Sequence, residues 1–111
     1  MSRRIERIND EIKKQVAMLV RELKDPSLQT VMITVTKANT TQDLKYCKIY
    51  VSVMGSEDNK KKSLSALKKA AGFIKKQLAQ SVNLRQTPEL TFLLDDSLDQ
   101  AMRIQEILES L

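Results

Sequence analysis

The chain has 111 residues, 41% hydrophobic and 30% charged, which fits one globular domain with a real core and argues against disorder. It contains no His, no Trp, one Cys and two Gly. These counts exclude Ser-His-Asp and Cys-His catalysis, intrachain disulfides, CxxC motifs, Walker loops and GxGxxG fingerprints.

The net charge of +5 favours a polyanionic partner, and it is unevenly spread. Residues 1–45 carry nine basic and six acidic side chains, residues 46–88 nine and two, and residues 89–111 one and six. The middle of the chain is therefore the basic segment, and the C-terminal part would repel the same partner. The longest apolar run, Val16 to Val20, is far short of the roughly 20 residues a spanning helix needs. No apolar signal core follows Met1-Ser2-Arg3-Arg4, so a cytoplasmic, reducing compartment is expected, with Cys47 a free, buried thiol.

Ile5, Ile8, Ile12, Val16, Leu19 and Leu23 recur at helical spacing, and Asp25-Pro26 ends that helix. Arg3, Arg7, Lys14 and Arg21 fall opposite this face, as a solvated ridge or as ligand contacts. Val31, Ile33 and Val35 alternate with polar neighbours and predict a first strand. A polar connection from about Lys37 to Lys45 leads to a second strand, with Cys47, Ile49, Val51 and Val53 on one face. The short connection predicts an antiparallel pair.

Leu64, Leu67, Ala71, Ile74 and Leu78 predict a long helix containing Ala70-Ala71-Gly72. A mid-helix glycine costs on the order of 1 kcal/mol against alanine, so a kink, a short break, a close backbone approach or simple tolerance is expected there. Lys61, Lys68 and Lys75 form one row and Lys62, Lys69 and Lys76 another, neither facing the core, and Arg85 follows. Pro88 precedes a third strand, Leu90 to Leu94. Ser97 with Gln100 reads as a capping box for a last helix whose apolar face is Leu98, Ala101, Ile104, Leu108 and Leu111. The order predicts an α+β domain: strands one and two antiparallel, strands two and three parallel, helices covering one sheet face.

Across nearly its whole length the sequence resembles the ribosome-binding factor A family of bacterial ribosome-assembly proteins. The resemblance rests on the order and spacing of several pieces: Arg21-Glu22-Leu23-Lys24-Asp25-Pro26, Thr34-Val35-Thr36, Asp43-Leu44, Tyr46 to Val53, Ala70-Ala71-Gly72-Phe73-Ile74, Leu84 to Phe92, and Asp96-Ser97. It implies a single type II KH-like domain over residues 1–111, a three-stranded sheet covered by helices. The helix between strands two and three is interrupted, the usual GXXG clamp being replaced by an Ala-x-Gly kink, here Ala70-Ala71-Gly72. It further implies binding to the free small (30S) ribosomal subunit, late maturation of its 16S ribosomal RNA including 5′-end processing, a link to growth in the cold, and release aided by an assembly GTPase. Catalysis, cofactors and metals are not implied. A monomer is the expected state.

The residues expected to contact RNA are Lys68, Lys69, Lys75, Lys76 and Arg85, with Ala70 and Gly72 shaping the surface and Arg3, Arg4 and Arg7 as a second group. Three positions depart from the family pattern. Ser27 and Lys75 stand where arginine is common, and the chain ends at Leu111, without the polar tail many relatives carry. Of Tyr46, Tyr50, Phe73 and Phe92, two or more are expected in the core, which argues against base stacking and for backbone and shape recognition. Two other readings are open to the sequence: a carboxylate metal site at Asp95, Asp96 and Asp99, and a protein-binding adaptor using a strand edge or the acidic last helix.

Overall fold

A computed structural model describes residues 3–82, 84, 86–95 and 104–111. Helix α1 spans Arg3–Glu22 and buries Ile5, Ile8, Ile12, Val16 and Val20. Leu19 and Leu23 of the expected stripe are only partly buried, because Val20 lies closer to the centre of the packed face. A short helix absent from the sequence reading, α2 (Pro26–Gln29), follows at once. Asp25-Pro26 therefore starts a helix as well as closing one: Asp25 Oδ1 accepts from the Ser27 amide at 2.9 Å, and proline suits the first helical position.

Strands β1 (Met32–Thr40) and β2 (Tyr46–Met54) pair antiparallel, and β3 (Glu89–Leu94) adds to β2 in parallel, in the order β1-β2-β3. β1 runs to Thr40, past the expected boundary at Lys37. A bulge between Val35 and Lys37 shifts the register, so the inward set is Val35, Ala38 and Thr40 rather than a plain alternation. β2 keeps the expected alternation, with Cys47, Ile49, Val51 and Val53 buried. Cys47 is a free, buried thiol, and burial raises its pKa.

Helix α3 runs unbroken from Glu57 to Ser81, so the expected interruption at Ala70-Ala71-Gly72 is not a break, and one helix rather than two joins β2 to β3. The stretch is rich in Ala, Leu and Lys, all strong helix formers. Ala66, Leu67, Ile74 and Leu78 anchor it to the core on both sides of the glycine. Ser63, fully buried on α3, donates its hydroxyl to the Ser27 carbonyl at 3.2 Å and ties α2 to α3.

All three helices pack on the sheet face that carries Val35, Cys47, Ile49, Val51, Leu90 and Phe92, and these side chains form one hydrophobic core. Residues 104–109 are helical, but Ile104, Ile107, Leu108 and Leu111 are exposed, so this stretch of the expected apolar face is not packed. The expected capping residues Ser97 and Gln100, with Leu98 and Ala101, lie outside the described residues.

Candidate nucleic-acid interface

α3 is built to present one charged face. Ser56 caps it by accepting from the Asn59 amide at 3.1 Å, and Glu57 and Asp58 in the first turn suit the helix dipole. Those acids also pair with nearby lysines: Glu57 lies 3.7 Å from Lys60 and Asp58 lies 3.1 Å from Lys62. Beyond the second turn the acids stop.

Lys61, Lys68, Lys69 and Lys76 are exposed and have no carboxylate partner among the described residues. Spacings of three, four and seven keep Lys69, Gly72, Phe73 and Lys76 on neighbouring parts of the solvent face.

Gly72 is exposed, and a Cβ placed there meets nothing within 4 Å. The fold itself does not require glycine at this position, and no other part of the described chain approaches its backbone. Ala70 and Ala71 are partly buried against the core, so Gly72 is the member of the motif that faces outward.

Phe73 is 53% exposed. This corrects the aromatic expectation: Phe92 alone of the four rings is fully buried, while Tyr46 is exposed and Tyr50 half-buried. The signal was present in the sequence. Phe73 stands four residues after Lys69 and three before Lys76, on the lysine face rather than the leucine face.

Lys75 is placed differently from its neighbours. It is partly buried at the sheet edge, and its Nζ contacts Glu89 Oε1 at 2.5 Å. That contact links α3 to β3 and leaves Lys75 less available to a ligand than Lys68, Lys69 or Lys76. Arg3, Arg4 and Arg7 are exposed on the first two turns of α1, a different helix. Arg85 lies outside the described residues, as do Asp96 and Asp99 of the carboxylate set. Asp95 ends the sheet instead: its amide donates to Val51 O at 2.7 Å and its carboxylate accepts from Thr36 Oγ1 at 2.6 Å.

No helix of the described residues is long and apolar enough to cross a membrane. The arrangement on α3 is a set of exposed cations, Lys68, Lys69 and Lys76, around a bare backbone position, which suits phosphate contact along a folded nucleic acid.

Comparisons with known proteins bear on the family and the fold. The family model for ribosome-binding factor A matches residues 4–108. Ribosome-binding factor A of Acetivibrio thermocellus is 48% identical over 95% of this chain and 85% of its own length, and that of Clostridium botulinum strain Hall is 46% identical over 95% and 88%. Among solved structures, ribosome-binding factor A from Thermus thermophilus matches with a TM-score of 0.71 at 27% identity, over 81% of this chain and 94% of that one. A Thermus thermophilus ribosome-binding factor A model fitted into an electron-microscopy map of its 30S complex matches with a TM-score of 0.65 at 26% identity, over 79% and 91%. The α+β fold and the match along nearly the whole sequence together show that this chain belongs to the ribosome-binding factor A family.

Proposed function

We propose that this protein is a non-catalytic, cytoplasmic assembly factor, one KH-like unit over residues 1–111, that binds the free 30S subunit and promotes late maturation of 16S ribosomal RNA, including its 5′-end processing. The observation that carries the reading is the α3 face, where Lys68, Lys69 and Lys76 surround the exposed, unobstructed Gly72. The Thermus relative fitted into a 30S complex supports the choice of partner. Such a factor acts by binding one RNA conformation better than another, since only differential affinity shifts the equilibrium. Cold-linked growth and release of a monomeric factor by an assembly GTPase belong to the same proposal.

Sedimentation with purified small subunits over a salt series tests it. Affinity is expected to fall with salt, and the combined Lys68→Ala, Lys69→Ala and Lys76→Ala variant is expected to reduce the log–log slope by about 2 to 3 with little change in thermal stability. Subunit affinity that is flat in salt overturns the electrostatic account.

A second reading, an adaptor that docks on a ribosomal protein, rests on the exposed Ile104, Ile107, Leu108 and Leu111. Equal binding to intact subunits and to protein-free 16S ribosomal RNA would exclude it.

A further inference from the structure

The helices cover one face of the sheet, and the other face is open among the described residues. Register places its side chains in rows. Lys37 of β1, Tyr50 of β2 and Leu93 of β3 are neighbours, and Asn39, Lys48 and Thr91 form the adjoining row. Tyr46 begins the same face of β2 and is 58% exposed. The face is aromatic and basic, not simply apolar. Lys37 Nζ lies 5.7 Å from the centroid of the Tyr50 ring, close enough for a cation–π contact. Lys37 and Lys48 have no carboxylate partner among the described residues.

The acids near this face are already engaged: Asp43 by Thr41 and the Lys45 amide, Glu89 by Lys75, and Asp95 by Thr36.

A recess of about 170 Å³ opens beside Tyr46, lined by Asn39, Thr40, Thr41, Tyr46 and Lys48. Its rim is rigid. Thr41 Oγ1 donates to Asp43 Oδ1 at 2.7 Å and accepts from the Tyr46 amide at 3.1 Å, so the hairpin end is tied down before any ligand arrives. Asn39 is exposed, and its side-chain amide offers both a donor and an acceptor at the recess.

We propose that this open sheet face is a second nucleic-acid site, which takes unpaired RNA: a base stacks on Tyr46 with its edge at Asn39, and Lys48 and Lys37 meet the flanking phosphates. Stacking on an exposed ring is tolerant of sequence, because every base has a π-face, and lysines beside the rings select a polyanion over a neutral partner. Tyr46 and Tyr50 are four residues apart on one strand, about 13 Å, which leaves room for a strand to cross between them. The inference extends the proposed function from the α3 face, which suits folded RNA, to the opposite side of the sheet.

The chain carries its own probe. It has no tryptophan and two tyrosines, both on this face, so all of its tyrosine emission arises there. Titration of the whole protein with oligoadenylate of about eight nucleotides is expected to quench that emission saturably, and a duplex RNA of equal length is expected to quench it weakly. In a filter-binding assay Tyr46→Ala is expected to weaken oligoadenylate binding about tenfold, and Tyr46→Phe, which keeps the ring, to stay within about twofold. Tyr46 is exposed, and an unchanged melting temperature shows that the fold survives.

The Lys68→Ala, Lys69→Ala and Lys76→Ala variant separates the two readings. It is expected to lose subunit affinity while the tyrosine quench by oligoadenylate persists. No saturable quench, in a protein that still binds subunits through α3, overturns the sheet site and leaves the proposed function standing. If Tyr46→Ala weakens binding to intact subunits but not to protein-free 16S ribosomal RNA, the face holds a ribosomal protein and the inference is likewise overturned.

Discussion

The carboxylate of Asp43 accepts from the Thr41 hydroxyl and the Lys45 amide, and these bonds, the Thr41 one foremost, hold its pKa below the usual carboxylate range. A lowered folded-state pKa means that the ionised form is the one the fold favours. Its contribution is present above the unfolded value, about 3.9, and is lost as the pH falls through the folded value. Asp43→Asn is therefore expected to reduce the loss of stability on acidification below about pH 4. Urea denaturation from pH 6 to pH 2 checks this, and identical pH profiles for both proteins would count against it. Leu44 beside it has φ +62°, a left-handed conformation that disfavours a bulky side chain, yet its side chain is buried. Burial and the Leu44 amide bond to Thr41 O at 3.0 Å offset that strain and hold the hairpin end in one shape.

At the level of the element, α3 separates folding from binding at a single position. Gly72 is helical, exposed and unobstructed. Gly72→Ala is expected to stabilise the protein by about 1 kcal/mol, raising the melting temperature by about 4 °C. If the bare backbone serves RNA approach, the same change weakens binding to small subunits. A stabilised variant with undiminished affinity would show that the absent Cβ is irrelevant to RNA. Much of this helix was legible in the sequence, because Leu67, Ile74 and Leu78 carry a clean 3.6-residue period. Its continuity was not, since a glycine that costs about 1 kcal/mol is easily outweighed by flanking burial. The second half of β1 was hidden for another reason. The bulge at Thr36 breaks the two-residue alternation on which strand reading depends. The ion pair of Lys75 with Glu89 joins residues fourteen apart across two elements and leaves no local pattern. The open sheet face was missed because alternation tells which side chains face inward and says nothing of what covers the other side.

For the whole molecule, a two-layer fold with 17 Å as its shortest extent sets two chemically different surfaces on its opposite sides. On the proposed readings, the α3 lysines meet a folded backbone and the tyrosine face meets unpaired bases. A factor that holds both at once selects RNA conformations in which a helix and a loose strand lie about one protein thickness apart. Because the surfaces share no contacts, their contributions are expected to add. Tyr46→Ala combined with the α3 lysine substitutions should weaken subunit binding by the product of the separate losses, within about twofold. A combined loss no greater than the larger single one would mean that both sets act on one RNA contact.

β1 and β3 are both edge strands, each with a row of backbone groups able to pair with a second chain. The β1 edge is not flat. At Thr36 the bulge twists it, and Lys37 follows directly, exposed. Removing Thr36 would restore plain alternation, with Val35, Ala38 and Thr40 still facing inward, and leave a smooth edge suited to strand-to-strand association between copies. The irregular residue that obscures the strand in the sequence thus also guards the molecule against its own aggregation.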